Sequence, residues 1–221
     1  MLQNSQLFLA VRPIQDHHWV VSITLIVLMF LVAVKWNKTT YFYSYLNSLF
    51  TSAFYSKKFV EKRRIELTEV ILFVASLIGI SFFLFVSLNG NSFSILTYLQ
   101  IFFLVTIVLL SKYLIEKIIG DLFELDQLIG RYLFYKQGVL SWISLFLLFP
   151  VGLYLYFQET DNNILILIVI GVAVLIYTIK LFSFIGLYQK HILTYWFYFI
   201  LYLCAFEIAP YLILFKVVKI N

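Results

Sequence analysis

Six long apolar runs most constrain what this chain can fold into. A helix needs roughly 20 apolar residues to cross about 30 Å of hydrocarbon, whereas membrane-spanning strands would appear as short alternating segments. Each run is unbroken and close to the helical length. We therefore predict an all-α, polytopic transmembrane helix bundle that forms a single domain over residues 1–221. The predicted spans cover residues 19–36, 70–88, 95–115, 139–157, 164–181 and 192–215.

Composition places the chain in the lipid bilayer and argues against a nucleic-acid partner. Of the 221 residues, 63% are hydrophobic and 12% are charged, a balance that is not typical of soluble domains. The net charge of +5 comes from basic residues in and beside the loops, where the positive-inside bias explains them. The single cysteine, Cys204, cannot form an intramolecular disulfide.

The distribution of basic residues predicts the orientation of the chain. Thirteen of the 16 lysine and arginine residues lie in or beside the first, third and fifth loops. Loops rich in Lys and Arg remain in the cytoplasm, so these three loops are predicted to be cytoplasmic. With six spans, both termini are then predicted to be periplasmic.

The first of these loops contains a predicted amphipathic helix followed by a cationic run. Apolar residues recur at helical spacing from Phe42 to Phe54, and the opposite face carries Ser44, Asn47, Ser48 and Thr51. This composition suits binding of anionic lipid or of a partner, while the alternative is charge that only fixes topology. The basic residues of the run are Lys57, Lys58, Lys62, Arg63 and Arg64.

The second cytoplasmic loop carries a polar stripe at helical spacing, which includes Glu116 and Glu124, so the third span is expected to continue as a helix. Asp121 and Glu124 can converge on one helix face, as in acidic clusters that hold Mg²⁺ against a diphosphate. A solvated helix face is the simpler interpretation, and we predict no metal site.

An intramembrane carboxylate, Glu207, lies in the sixth predicted span, three residues before Pro210. Because proline has no N–H, the Phe206 carbonyl loses its helical partner beside that carboxylate. A neutral Glu207 would donate a hydrogen bond that stabilises helix packing, whereas an ionised one would bind a proton, a cation or a cationic substrate. Tyr211 on the same face and Gln100 of the third span are its candidate partners. A second proline, Pro150, predicts a kink in the fourth span.

Two segments carry a family resemblance. The C-terminal "FYFILYLCAFEIAPYLILFK" and the upstream "YKQGVLSWISLFLLFP" resemble an uncharacterised family of integral membrane proteins of the Bacteroidota, a domain of unknown function. The resemblance is most specific from Phe197 to Lys216. It implies a location in the inner membrane of a Gram-negative bacterium, but no reaction and no cofactor.

Three functional hypotheses remain open on the sequence alone. The leading one is a non-catalytic inner-membrane protein that acts as a subunit or accessory factor of a cell-envelope assembly, with membrane or periplasmic protein partners. The second is a small transporter or ion-coupled protein that uses Glu207. The third is a membrane-embedded enzyme acting on a lipid or polyprenyl substrate through Asp121 and Glu124. The chain has no nucleotide-binding loop, zinc-protease motif or nucleophile elbow, so we expect no cofactor and favour a non-enzymatic role.

Overall fold

A computed structural model describes residues 18–37, 39–49, 67–88, 94–122, 126–158 and 163–187. Within those ranges the protein is almost entirely helical and has no strand, which confirms the predicted all-α fold class. The elements are α1 (His18–Asn37), α2 (Thr39–Leu46), a 3₁₀ turn (Asn47–Leu49), α3 (Leu67–Leu88), α4 (Ile95–Leu122), α5 (Asp126–Ile143), a π segment (Ser144–Leu148), α6 (Phe149–Gln158) and α7 (Asn163–Leu187).

Five helical stretches are long and apolar enough to cross a membrane, which is compatible with a multi-pass membrane protein. They are His18–Asn37, Leu67–Leu88, Ile95–Leu122, Ile129–Gln158 and Asn163–Phe184. The sixth predicted span, residues 192–215, lies outside the described residues. The loops rich in Lys and Arg adjoin one end of the bundle, where α1 ends and α3 begins. We call this end the basic end.

Helix α3 lies at the centre of the described bundle and packs against α1, α4, α5, the π segment and α6. Its sequence places Ala75, Ser76, Gly79 and Ser81 along the middle two turns, and all four are buried. Small residues allow backbones to approach closely in lipid, where water does not drive helices together. The large buried side chains of the core, among them Phe82 and Phe85, follow toward the opposite end.

Helices α4 and α5 form a long hairpin whose adjoining ends lie at the basic end. Helix α4 has 28 residues and α3 has 22. Helix α5 begins at Asp126, ahead of the predicted span boundary at residue 139. An added Cβ at Gly120 would lie 3.1 Å from the Ile129 side chain, so the two helices meet closely near their adjoining ends. The expectation that the third span continues as a helix is confirmed.

Helix α2 packs against the fourth spanning stretch. The indole N–H of Trp142 donates a hydrogen bond to the Leu46 carbonyl at 3.2 Å, and the Tyr45 ring lies 6.5 Å from the Phe146 ring. Tyr45 is buried, in agreement with the predicted apolar face. Ser48, predicted on the polar face, is also buried. The prediction is wrong there because the α-helix ends at Leu46 and the following 3₁₀ turn, at three residues per turn, places Ser48 under Tyr45.

Candidate functional site

A connected set of polar side chains lies between α3 and the α5–π stretch, inside the apolar bundle. We call Ser76, Gln137, Ser141 and Ser144 the polar seam. The Gln137 amide N–H donates to the Ser141 hydroxyl at 3.4 Å, and that hydroxyl donates to the Ser76 hydroxyl at 3.2 Å. The Ser144 hydroxyl donates to the Ser76 carbonyl at 2.6 Å. Side-chain hydrogen bonds therefore join two helices at two successive levels.

The Ser76 hydroxyl in turn donates to the Phe73 carbonyl of its own helix at 2.7 Å. Each hydroxyl of the seam thus has a protein partner, as buried polar groups require when hydrocarbon surrounds the bundle. Cross-helix bonds of this kind contribute on average about 0.6 kcal/mol each in a membrane. Their arrangement fixes how α3 and α5 are positioned along each other.

Gly79 allows the closest approach at the seam. An added Cβ at this position would lie 2.6 Å from the Ser144 hydroxyl oxygen and 3.3 Å from the Ser144 carbonyl oxygen. Real Cβ atoms do not approach other atoms to 2.6 Å, so a larger residue would displace Ser144 from its hydrogen bond to Ser76. Glycine at this position is therefore a packing requirement of the seam.

The π segment starts at the seam and widens the helix just before Pro150. The Phe149 N–H donates to the Ser144 carbonyl, five residues back, and so does not reach its regular acceptor, the Leu145 carbonyl. Pro150 has no N–H for the Phe146 carbonyl. Two successive carbonyls thus lose their regular helical donors in the interior of a span. Such π segments are frequent at functional sites, and carbonyls of this kind can accept a hydrogen bond or coordinate a cation. The structure shows a change of helix type just before Pro150, and the kink predicted there stays a prediction.

A buried ion pair lies in the α4–α5 hairpin. Lys136 Nζ donates to Glu116 Oε1 at 2.6 Å, and the two side chains are 12% and 1% exposed. Lys136 Nζ also lies 5.3 Å from the centroid of the Tyr132 ring, a cation–π distance. Glu116, which its spacing puts on the polar stripe of this helix, is therefore buried in an ion pair and is not exposed to water. Glu116 lies six residues before the end of α4 and Lys136 ten residues after the start of α5, so equal distance from the helix ends would not have predicted this pair.

Gln100 and Asp121 are the predicted site residues that the structure describes. Gln100 is exposed on the outward face of α4, and Asp121 is exposed near the end of the same helix. The remaining candidates, Glu207 with its neighbours Phe206, Pro210 and Tyr211, the basic run Lys57, Lys58, Lys62, Arg63 and Arg64, and Glu124, lie outside the described residues. In the described ranges, no three His, Cys, Asp or Glu side chains converge as a metal site would require.

One known protein family matches almost the whole chain. The family described as "Domain of unknown function (DUF4271)" matches residues 20–218. The chain belongs to the DUF4271 family. The expectation of an uncharacterised family is thereby confirmed, and the DUF4271 match includes the polar seam, the π segment and the ion pair. No curated protein and no solved structure matches the chain significantly.

Proposed function

We propose that this DUF4271 protein is a non-catalytic inner-membrane protein that serves as a subunit or accessory factor of a bacterial cell-envelope assembly. The observation that carries the proposal is the mutual pairing of the polar groups inside the bundle. Ser144 with Ser76, Ser141 with Ser76, and Lys136 with Glu116 all bind one another across helices. Polar groups used in this way stabilise a fixed scaffold.

The peripheral helices support the same proposal because they expose long apolar faces. Within an apolar stretch of 18 residues in each helix, 6% of the stretch is buried in α7 and 56% in α3. Such faces contact either lipid or the spans of other proteins. The buried polar groups therefore hold the bundle together, while its outer faces are available for lateral contacts in the membrane.

The finer assignments belong to the same proposal. The family resemblance supports a Bacteroidota source and the inner membrane, and the charge asymmetry of the loops supports periplasmic termini. The basic run from Lys57 to Arg64 fits the anionic lipid of the inner leaflet. The partners we infer are membrane or periplasmic proteins of the envelope.

The proposal is tested by capture of the protein with its neighbours at native expression. A photo-crosslinking residue in place of Leu167, which is exposed on α7, should yield discrete heterologous adducts that mass spectrometry identifies. The same residue in place of Phe82, which is fully buried, is the matched control and should yield none. Stoichiometric co-purification in mild detergent should return the same partners. A chain that purifies alone and yields no heterologous adduct would contradict the proposal.

A second candidate function, ion-coupled transport, is favoured by the π segment. Its two carbonyls without regular donors belong to the two residues that follow Ser144 in a spanning stretch, and carbonyl and hydroxyl oxygens are ligands for small cations. In reconstituted vesicles, a transporter would move a cation or proton in a way that Ser144→Ala abolishes and Thr178→Val, an outer-helix control, leaves unchanged. Vesicles that remain as tight as protein-free ones would exclude this function.

A further inference from the structure

Helix α2 ends against a residue that lies well inside the bundle. The Ser141 hydroxyl donates to the Ser76 hydroxyl and the Ser144 hydroxyl to the Ser76 carbonyl, so Trp142, between these two serines, lies level with Ser76. Ser76 is nine residues after Leu67, the first residue of α3, and twelve before the last. At 1.5 Å per residue, the level of Trp142 is about 14 Å from the basic end of α3.

The basic ends of α1 and α3 lie at nearly the same depth. The two helices are antiparallel neighbours, and the Trp19 ring lies 5.5 Å from the Phe85 ring. Trp19 is 18 residues before Asn37, where α1 ends, and Phe85 is 18 residues after Leu67, where α3 begins. The 22 residues of α3 extend about 33 Å, close to the thickness of the hydrocarbon, about 30 Å. The level of Asn37 and Leu67 is therefore close to the hydrocarbon boundary.

Helix α2 cannot make its observed contact if it lies flat at this boundary. The indole N–H of Trp142 donates to the Leu46 carbonyl at 3.2 Å. The indole nitrogen is less than one helical turn, about 5.4 Å, from its own Cα, so the Leu46 carbonyl lies within about 9 Å of the Trp142 backbone. A flat α2 would leave that carbonyl about 14 Å below Trp142. Leu46 therefore lies at least about 5 Å deeper in the bundle than Leu67.

The ring contacts and burial of the same segment agree with this depth. The Tyr45 ring lies 6.5 Å from the Phe146 ring, and Phe146 is one turn further along the span than Trp142. Tyr45 and Ser48 are each only 2% exposed. Helix α2 also packs against α1, the helix that it follows. A helix that turns back into the bundle after the end of α1 accounts for all of these contacts.

We propose that α2 and the 3₁₀ turn after it form a re-entrant element, which enters the membrane from the basic end and ends inside the hydrocarbon beside the π segment. The helices before and after it, α1 and α3, both adjoin it at the basic end, so the element does not cross the membrane. Irregular backbone at this depth is tolerated where protein encloses it, and Trp142 satisfies the Leu46 carbonyl there. This inference goes beyond the proposed function, because it holds for a subunit and for a transporter alike.

Depth-dependent quenching in vesicles is the first test, with single cysteines in a Cys204→Ser background. Trp36→Cys and Met29→Cys on α1 provide the depth scale, since both residues are exposed and lie seven residues apart. Thr40 and Asn47 are also exposed and seven residues apart, and seven residues of an upright helix extend about 10 Å. Each cysteine carries a bimane fluorophore, and the vesicles contain lipid brominated either near the headgroup or near the end of the acyl chain.

The ratio of quenching by the deep to the shallow bromines is the measured quantity. Shielding of the fluorophore by protein lowers both values and cancels in this ratio. Thr40→Cys should give the ratio of Trp36→Cys, and Asn47→Cys should shift to a value between those of Trp36→Cys and Met29→Cys. Equal ratios at Thr40, Asn47 and Trp36 would place α2 flat at the boundary and overturn the proposal.

A second test removes the contacts that hold α2 at this depth. Tyr45→Ala with Trp142→Ala should return the ratio at Asn47 to that at Trp36. The ratio at Met29 should stay constant, which shows that α1 is still inserted. An Asn47 ratio that stays high while that of Met29 is constant would overturn the attachment of the element to the fourth spanning stretch.

Discussion

Helices α3 and α7 are both strongly apolar spans, yet one is the centre of the described bundle and the other lies at its periphery. Helix α3 carries small and hydroxyl residues in its middle turns and packs against five other elements. Helix α7 exposes Leu167, Ile168 and Leu175, and it contacts α5 through Phe184, whose ring lies 5.2 Å from that of Tyr135. Apolarity alone therefore does not determine position in a membrane bundle. Small residues and paired polar groups determine which helix is enclosed.

The two lysines of α5 and α7 give the largest test of that contrast. Lys136→Met leaves the Glu116 carboxylate buried without its partner and should lower the free energy of unfolding by about 3–5 kcal/mol. Lys180→Met, near the end of the peripheral helix, should have a small effect. Thermal unfolding in detergent, monitored by size-exclusion chromatography, measures both.

The double variant Glu116→Leu/Lys136→Met is the control for the ion pair. Because it removes both charges, it should be more stable than Lys136→Met alone. If the single and double variants unfold together, desolvation of Glu116 is not the cause of the loss.

Two glycines test close packing against open surface. Gly79→Val should destabilise the protein by about 1–3 kcal/mol through overpacking, because its Cβ would meet Ser144 at 2.6 Å. Gly171→Val in α7 should be nearly silent, since a Cβ there meets no atom of the described residues within 4 Å. Equal melting temperatures for the two variants would contradict the close approach at the seam.

Two hydroxyls test the cross-helix bond itself. Ser144→Ala removes the hydrogen bond to the Ser76 carbonyl and should cost about 0.6–1.7 kcal/mol. Thr178→Val removes a hydroxyl that bonds the Val174 carbonyl of its own helix at 2.9 Å and should cost less. Chemical unfolding in mixed micelles measures both losses in the free energy of unfolding. A larger loss for Thr178→Val than for Ser144→Ala would contradict a stabilising role of the cross-helix bond.

The smallest expected effect is that of weakening the contact between α2 and α5. Trp142→Phe keeps the ring contact with Phe146 but removes the N–H that bonds Leu46, a loss of about 0.5–1.5 kcal/mol. Hydrogen exchange of residues 39–49 should become faster while that of α7 stays constant. Unchanged exchange in α2 would mean that the Tyr45 contacts suffice to hold it.

Sequence length and apolarity predicted the helices, since only an apolar run of about 20 residues can span hydrocarbon. The same signal placed the start of the fourth span at residue 139, whereas α5 begins at Asp126, because hydropathy marks the hydrocarbon boundary and helices continue beyond it. Glu116 is a charged residue of a type that is usually exposed to water. It is buried because α5 packs against α4 and brings Lys136 to it. The seam was not predicted, because the spacing of serines in one helix does not reveal which helix they meet.

The π segment also divides its span into two halves with different angular registers. One additional residue per turn displaces every later side chain by about 100° relative to a continuous α-helix. Gly152 faces Phe82 only in this displaced register, where an added Cβ would lie 3.2 Å from the ring. Deletion of one residue between 144 and 148 would turn α6 by more than a quarter of a revolution and direct a different row of side chains toward α3. The residues that tolerate substitution in each half are therefore set by the neighbours of that half and not by one continuous helical face.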